Sequence, residues 1–342
     1  MTYIRISGRF TANIAVLTGS ENIGNYNTHA IAKVGVAIGN EYREYEVPVI
    51  TGNSLKHWHS VYLAQVYEAL GGNKLNEYCR KGIGLRGYTF DCKLSETKEA
   101  ENESTAIKDL CNDIHGFLNP NKQIKRDSLV KFSFAAPVFD QKILEISSRY
   151  AETHNRVDSR STQNTGMMIF KQEYSSSPLY GFNISMNLGY VCKPMYEDIS
   201  NNTEDCDDNE IILRKKSSIL SLLNLLTGFG SKQARAMPIT EVKELLLAYS
   251  EKPIPNVVHG SYVDYANKSL EILKAYAKAN ANISVYCYGI DCEDAKKDGI
   301  EVKKDAKKDG IEVKKEDSLE DLFNDIINKI DPSAQKNQSQ NK

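Results

Sequence analysis

The residue types best suited to binding chemistry form one short run, Gly228–Arg235, with the sequence GFGSKQAR. Its two glycines allow a backbone to approach a phosphate, its amides can form an anion-binding nest, and Lys232 and Arg235 supply positive charge. The run differs from a nucleotide-binding P-loop, which needs GxxxxGK followed by Ser or Thr. It predicts a phosphate-binding loop, and the alternative is a glycine helix cap followed by a turn.

Three consecutive polar residues, His154, Asn155 and Arg156, offer a second set of groups for nucleic acid. Arg and His bind phosphates, and Asn bonds sugar or base edges, whereas an ordinary polar loop is the alternative. His57 and His59 lie two positions apart on a predicted helix and point to different faces, so they cannot form the i, i+4 zinc pair. No acidic partner for them is visible in the sequence, and catalysis by histidine is therefore disfavoured.

Two further patterns carry less weight. The segment Gly82–Gly87 matches GxGxxG, but it neither follows a strand nor opens a helix, so we interpret it as a chance match rather than a dinucleotide site. None of the seven cysteines lies in a CxxC pair, and free thiols are expected. Zinc bound by Cys111 and His115, with Cys79 and Cys92 as distant ligands, is the less favoured alternative. We therefore expect no metal and no cofactor.

The elements that would position these residues begin with an alternating strand over residues 3–13. Its apolar face packs inward and its other face offers Arg, Ser, Thr and Asn, which is typical of a half-open antiparallel sheet. A hairpin of Ile31–Ile38 and Tyr42–Ile50 follows, with Gly39-Asn40 at its turn. Further strand-like runs are Leu129–Phe139, Leu179–Cys192 and Ile283–Tyr288.

Apolar residues at helical spacing predict the helices Leu55–Leu70, Ile211–Thr227 and Tyr262–Asn280. The first begins after a cluster of capping residues, Thr51–Ser54. Near the C-terminus the sequence DAKKDGIEVKK occurs twice in tandem, at residues 294–304 and 305–315, and predicts a solvated linker. An amphipathic helix over Leu319–Ile330 follows the capping residue Ser318. We expect this helix to pack on its own chain, with a partner surface as the alternative.

Composition predicts a soluble globular protein of about two domains, or of one domain with large insertions: the chain has 342 residues, 41% of them apolar, and a net charge of -2. No apolar run approaches the roughly 18 residues of a membrane helix, and the N-terminus has no signal region, so a cytoplasmic location is expected. The near-neutral net charge is not typical of a nucleic-acid-binding protein, but the charges are segregated along the chain. Residues 197–210 hold acids without a base, and residues 211–240 hold bases without an acid.

Several of these segments together resemble one family. They are Arg9–Asn13, Leu17–Asn25, Val47–Lys56 (VPVITGNSLK), Asp113–Leu118 (DIHGFL), Lys125–Ser128 (KRDS), His154–Val157 (HNRV) and Gly228–Pro238. In this order they resemble the archaeal DevR-type backbone subunits of type I CRISPR Cascade complexes, the Cas-seven family, of the type I-A kind. The resemblance spans roughly residues 3–250 and leaves out the acid-rich loop, the duplication and the tail helix.

The resemblance implies an α+β fold, with an RRM-like (ferredoxin-like) antiparallel sheet core, large inserted lobes and a protruding hairpin. Residues 1–72 are expected to form the first part of the core with the hairpin and the first helix, and 73–128 an inserted lobe. Residues 129–292 are expected to form the rest of the core, with the protruding hairpin at about 155–180 and the glycine-rich basic loop at 228–235. Residues 293–317 are the charged linker, and 318–342 are the amphipathic helix with a polar tail.

The resemblance also implies an RNA-binding subunit of antiviral defence that forms a helical filament along CRISPR RNA and presents the guide to target DNA. Its expected partners are that RNA, the target DNA, other copies of itself and other Cascade subunits. The residues expected to contact RNA are Arg9, Asn13, Gly52, Asn53, Ser54, Lys56, His57, His154, Asn155, Arg156, Met167, Met168, Gly228, Gly230, Ser231, Lys232, Gln233 and Arg235. RNA-cleaving relatives of type III complexes resemble one another in a catalytic Asp in the loop that corresponds to Thr18–Val34, and this loop has no Asp. No catalytic residue and no nuclease activity are therefore expected.

Two other functions stay open at this point. An RNA-processing endonuclease of the same RRM-like superfamily would use His57, His59 or His154 as general acid or base. A non-RNA interaction scaffold would associate through the tail helix, with the glycine-rich loop as a plain turn, and the near-neutral charge favours it.

Overall fold

The computed structural model describes residues 1–157, 167–197, 206–228, 238–278, 282–290 and 311–331. Its strands are β1 (Tyr3–Ala15), β2 (Gly19–Ile23), β3 (Tyr26–His29), β4 (Ile31–Ile38), β5 (Glu41–Pro48), β6 (Phe117–Asn119), β7 (Ile124–Arg126), β8 (Val130–Phe132), β9 (Ala136–Pro137), β10 (Ser148–Val157), β11 (Met167–Met186), β12 (Thr240–Ser250), β13 (Ile283–Tyr288) and β14 (Ile311–Glu316). Its helices are α1 (Gly52–Ala69), α2 (Glu77–Arg80), α3 (Glu103–Ala106), α4 (Leu110–His115), α5 (Gln141–Ile146), α6 (Asp208–Gly228), α7 (Tyr265–Ala277) and α8 (Leu319–Ile330).

One large sheet organises the chain, with strand order β14-β13-β12-β1-β11-β3-β2. Its central pairs, β12 with β1 and β1 with β11, are antiparallel, as is β12 with β13. The long strand β11 also pairs with β8, β9 and β10. The expected α+β class with a mainly antiparallel sheet is confirmed at this level.

Both faces of the sheet are covered. On one face, apolar side chains of β1 such as Ile4 and Phe10 pack with α1, α6 and α8 in the larger core. On the other face, α7 packs through residues such as Leu270 and Leu273 over β12 and β13. Because these helices bury both faces, the sheet offers solvent much less surface than a half-open sheet would.

The expectation of an exposed polar face on β1 is wrong for residues 3–10, which are all buried. The segment 257–261 lies directly on β1 and β11, because Gly181 and Gly260 let the backbones meet without a side chain between them. Ser7 donates to the carbonyl of Phe182, and Arg5 donates to Met186. The alternation of apolar and polar residues separates the two faces of β1 correctly. It does not show whether the polar face is exposed, because polar side chains can form hydrogen bonds inside the protein as well as with water.

The two predicted hairpins are present. Strands β4 and β5 pair from Ile31–Pro48 to Ile38–Glu41, around the expected Gly39-Asn40 turn. The second hairpin, β10 with β11, begins at Ser148, before the expected start at residue 155, and pairs as far as Val157 with Met167. Its turn, residues 158–166, lies outside the described residues.

An ionic network that is buried except at Glu210 fastens the segment 73–128 to α6. Asp113 on α4 binds Arg126 on β7 at 2.6 Å and Arg214 on α6 at 2.8 Å. Glu103 pairs with the same Arg126, and Glu210 with the same Arg214. Because a buried charge without its partner costs several kcal/mol, these five residues fix the position of the segment.

Disulfides replace most of the expected free thiols. Cys79 is bonded to Cys111, and Cys192 to Cys206, with Cα–Cα distances of 6.1 and 6.2 Å that a disulfide spans normally. Cys287 is also disulfide-bonded, whereas Cys92 is a buried free thiol. The alternative zinc site is not assembled, because Cys111 is oxidised and the ring of His115 faces that of another histidine.

The predicted linker over 293–317 is wrong for its last part. Residues 311–316, in the second copy of the duplication, form β14, which pairs in parallel with β13 and buries Ile311 and Glu316. Residues 291–310 lie outside the described residues. The tail helix α8 packs on its own chain as expected, with Leu322, Phe323 and Ile326 buried. Among the described helices, none combines the length and the apolarity that a membrane crossing requires.

Candidate nucleic-acid interface

The first turn of α1 is fixed by two threonines. Thr51 caps the helix, since its hydroxyl accepts the N–H of Ser54 at 3.3 Å. Thr18, in the loop after β1, accepts the N–H of Thr51 at 3.0 Å. Gly52 is buried against the backbone of β8, where a Cβ would overlap the carbonyl oxygen of Phe132. The helix start is therefore held between β8 and the loop that leaves β1.

Predicted contact residues on this turn differ in exposure. Asn53 is exposed, Ser54, Lys56 and His57 are half-buried, and Gly52 is buried. Burial and the charges of two further basic residues lower the pKa of Lys56 to about 8. The first turn contains no acid, so the partial positive charge at the helix N-terminus adds to that of Lys56. This turn can bind an anion, and Gly52 positions the turn against β8.

The end of β1 places one predicted residue at the surface and another inside. Asn13 is exposed, and its backbone N–H donates to the carbonyl of Ile239 at 3.1 Å. Arg9 is buried, and its guanidinium donates to the carbonyls of Gly260, Tyr262 and Val263. It also pairs with Glu244 at 3.4 Å. Because its donors are occupied inside the chain, we remove Arg9 from the candidate interface and assign it to holding the 260–263 segment.

The root of the β10–β11 hairpin is bonded to the loop after β1. His29 accepts the N–H of Leu17 at its Nε2 and contacts the hydroxyl of Ser175 through Nδ1 at 2.6 Å. Glu173 accepts the backbone N–H of His29 at 2.6 Å and also binds Arg149. Burial lowers the pKa of His29 to about 4, so this ring is neutral at pH 7. The bonds fix the hairpin relative to residues 17–29.

His154 lies on the hairpin in an aromatic row. Its ring is stacked on Phe170 with centroids 5.4 Å apart, and its Nε2 lies 2.9 Å from the hydroxyl of Tyr174. Tyr150 stacks on Tyr174 in turn and is exposed. Aromatic rings at a surface are suited to stacking with bases. The side chains of four other predicted contact residues, Asn155, Arg156, Met167 and Met168, lie outside the described residues.

The glycine-rich loop is described only at its two ends. Gly228 is the last residue of α6, and a Cβ there would lie 3.1 Å from the hydroxyl of Tyr62 on α1. On the far side, Ile239 bonds the backbone of Asn13 and Ile14. The two described ends of the loop thus lie beside α1 and beside the end of β1. The predicted residues Gly230, Ser231, Lys232, Gln233 and Arg235 lie outside the described residues.

His59 is a core residue. It has no exposed surface, its Nδ1 lies 3.0 Å from Nε2 of His115, and its Nε2 donates to the carbonyl of Ser218. Burial lowers its pKa to about 4. A general acid or base must reach its substrate, so His59 cannot serve as one. His57 is half-buried, with its ring edge-on to Trp58.

Comparison with known proteins decides the family. The profile "CRISPR-associated negative auto-regulator DevR/Csa2" matches residues 6–270. The chain belongs to the DevR/Csa2 family. A relative in Thermoproteus tenax, "CRISPR-associated protein Cas7/Cst2/DevR", is 49% identical over 97% of each chain. The protein of the same description in Methanocaldococcus jannaschii is 35% identical over 84% of this chain and 94% of its own.

A chain of a solved "CRISPR RNA-guided surveillance complex" is 13% identical, and the match covers 95% of this chain and 98% of that chain. Its TM-score is 0.42, so this likeness carries no weight in assigning the family. The DevR/Csa2 match starts within β1 and ends within α7. It therefore includes every predicted contact residue and excludes β13, β14 and α8. The expected family is confirmed.

Two basic residues near Lys56 were missed by sequence reasoning, Arg86 and Lys131. Arg86 belongs to the Gly82–Gly87 segment, which was dismissed as a chance match. As expected, no helix follows that segment. The three glycines of the segment, which adopt positive φ angles, were the sequence signal of a shaped loop.

Proposed function

We propose that this DevR/Csa2-family chain is the CRISPR RNA-binding backbone subunit of a Cascade-type interference complex in the archaeal cytoplasm. It polymerises along the guide RNA with other copies of itself, contacts other Cascade subunits and presents the guide for pairing with target DNA. The proposal includes an RRM-like core with an inserted lobe at 73–128, and a non-enzymatic role.

The observation that carries this proposal is the linkage of three candidate segments through residues 17–29. Thr18 is hydrogen-bonded to Thr51, the cap of α1, and His29 is hydrogen-bonded to Ser175 at the root of the β10–β11 hairpin. The same stretch leaves the end of β1, where Asn13 is exposed. An extended strand of RNA touches a protein at several separated points, and fixed spacing between those points is what a repeating subunit needs.

The chemistry of these segments suits binding that does not depend on base sequence. The first turn of α1 offers backbone amides and Lys56 to phosphates, and the hairpin offers stacked rings to bases. A guide-carrying subunit must accept any spacer sequence, so contacts to phosphate and to ring faces serve it better than base-edge hydrogen bonds.

The endonuclease alternative is less well supported. His59 is inaccessible, and Nε2 of His154 is engaged with Tyr174. The scaffold alternative relied on a free tail helix, and α8 has its apolar face buried on its own chain.

A footprinting experiment tests the proposal. Purified protein is titrated onto long single-stranded RNA, and the length protected from nuclease is measured at each concentration. We expect cooperative binding, with a protected length that grows in equal steps. One fixed protected length at every protein concentration would refute polymerisation, and RNA cleavage by the protein without metal would favour the endonuclease. No salt-dependent RNA retention at all would favour the scaffold.

A further inference from the structure

Basic side chains from two other elements act on Lys56 near the start of α1. Lys56 lies on α1, Lys131 on β8, and Arg86 in the Gly82–Gly87 loop. The positive charges of Arg86 and Lys131 both act on Lys56. In the described part of the chain, no carboxylate forms an ion pair with any of the three. We call these residues the basic cluster.

The glycines of the loop explain how Arg86 reaches α1. Gly82, Gly84 and Gly87 have φ values of 65°, 79° and 92°, which side-chain-bearing residues rarely adopt. A Cβ on Gly84 would lie 3.5 Å from Nδ1 of His57, and one on Gly82 would lie 2.9 Å from Val61. The loop therefore runs along the second and third turns of α1.

Arg86 has donors left over. Its Nη2 is 3.4 Å from the hydroxyl of Ser60, while its Nε is buried and has no partner among the described residues. Asp109 is the carboxylate that acts on Arg86, but its two oxygens already accept the N–H groups of Asn76 and Asn112. Among the described residues no carboxylate accepts from this guanidinium, and a phosphate oxygen would be a favourable acceptor for its terminal N–H groups.

Like charges held together with partial burial destabilise a fold unless a ligand neutralises them. The acid-free N-terminus of α1 lies beside the cluster and favours the same kind of ligand. We propose that Lys56, Arg86 and Lys131 form a binding site for a backbone phosphate of single-stranded RNA, with Arg86 as the donor that the Gly82–Gly87 loop supplies. This rests on the proposed function and assigns two RNA-binding residues outside the predicted set.

The test compares three variants in equilibrium binding to single-stranded oligouridine over a range of salt concentrations. Arg86→Gln and Lys131→Gln each remove one cluster charge, and Lys131 is exposed, so its substitution leaves the fold intact. The matched control is Arg80→Gln, which removes the same charge from the same segment, where Arg80 is already paired with Glu68 at 2.6 Å. Melting temperatures of all variants report folding.

We expect each cluster variant to lower the slope of log affinity against log salt by about 0.7, the value for one lost phosphate contact on a single strand. The control keeps the wild-type slope. If wild-type protein binds RNA with a salt-dependent affinity and both cluster variants keep its slope, the phosphate site is refuted and the proposed function stands. If wild-type protein binds no RNA, the proposed function fails and the phosphate site fails with it. Should Arg86→Gln not fold, the slope for Lys131→Gln decides the matter.

Discussion

Gly52→Ala is the substitution that tests how the candidate interface is positioned. The new Cβ would lie 3.1 Å from the carbonyl oxygen of Ser133 and closer still to that of Phe132. Both obstacles are backbone atoms and cannot rotate away, so the start of α1 must shift off β8. Overpacking of this kind costs about 1–3 kcal/mol, and the better helix propensity of Ala offsets up to about 1 kcal/mol of it.

We therefore expect a net destabilisation of about 1–2 kcal/mol and a fall in melting temperature of roughly 2–6 °C. The assay is calorimetric melting, followed by RNA binding at a temperature where wild type and variant are both folded. RNA affinity should also fall, because the shift displaces Lys56. Gly35→Ala on β4 is the matched control, since a Cβ there would have no atom within 4 Å, and it should stay within about 0.5 kcal/mol of wild type. If the melting temperature of Gly52→Ala equals that of Gly35→Ala, α1 does not pack on β8 as described.

Three further outcomes are expected. RNA affinity should fall as pH rises through about 8, where Lys56 of the RNA-free protein loses its proton. Lys56→Arg should remove that pH dependence because a guanidinium stays charged. The same pH dependence in both proteins would contradict a role of Lys56 in RNA binding. Replacing Cys79 and Cys111, 32 residues apart, with Ser should lower the free energy of unfolding by about 4 kcal/mol on the loop-closure estimate, and an unchanged denaturant midpoint would contradict the disulfide. Burial lowers the pKa values of His59 and His115, so the unfolded chain binds more protons at these sites between about pH 6.5 and 4, and stability is lost as pH falls through that range. His115→Gln should reduce the acid slope of the unfolding free energy by up to about one proton, and a slope equal to that of wild type would mean that His115 does not titrate on unfolding.

Local patterns predicted the elements well where one physical preference dominated. The Gly39-Asn40 turn, the Thr51 cap and the apolar stripe of α8 each combine strong local chemistry with a clear periodicity, and all are present. The register of the central sheet needed more than periodicity, since β1 meets its partners β11 and β12 from more than 150 residues away.

The candidate site was less predictable because its residues depend on tertiary packing. The alternation of β1 placed Arg9 on a polar face, but only the fold shows that the carbonyls of segment 260–263 occupy it. Arg86 lay in a motif that was weighed for one ligand and set aside, although its glycines shape a loop against α1. Cysteine pairing followed neither spacing nor motif, since Cys79 and Cys111 meet through the packing of two short helices.

The proposed function requires this DevR/Csa2-family chain to carry guide RNA as one of several copies in a row. The most direct measurement is the length distribution of RNA that copurifies with the chain from its native host. We expect RNA of uniform length, protected from nuclease by the assembled copies. Protein that purifies without RNA, or with RNA of random length, would contradict it.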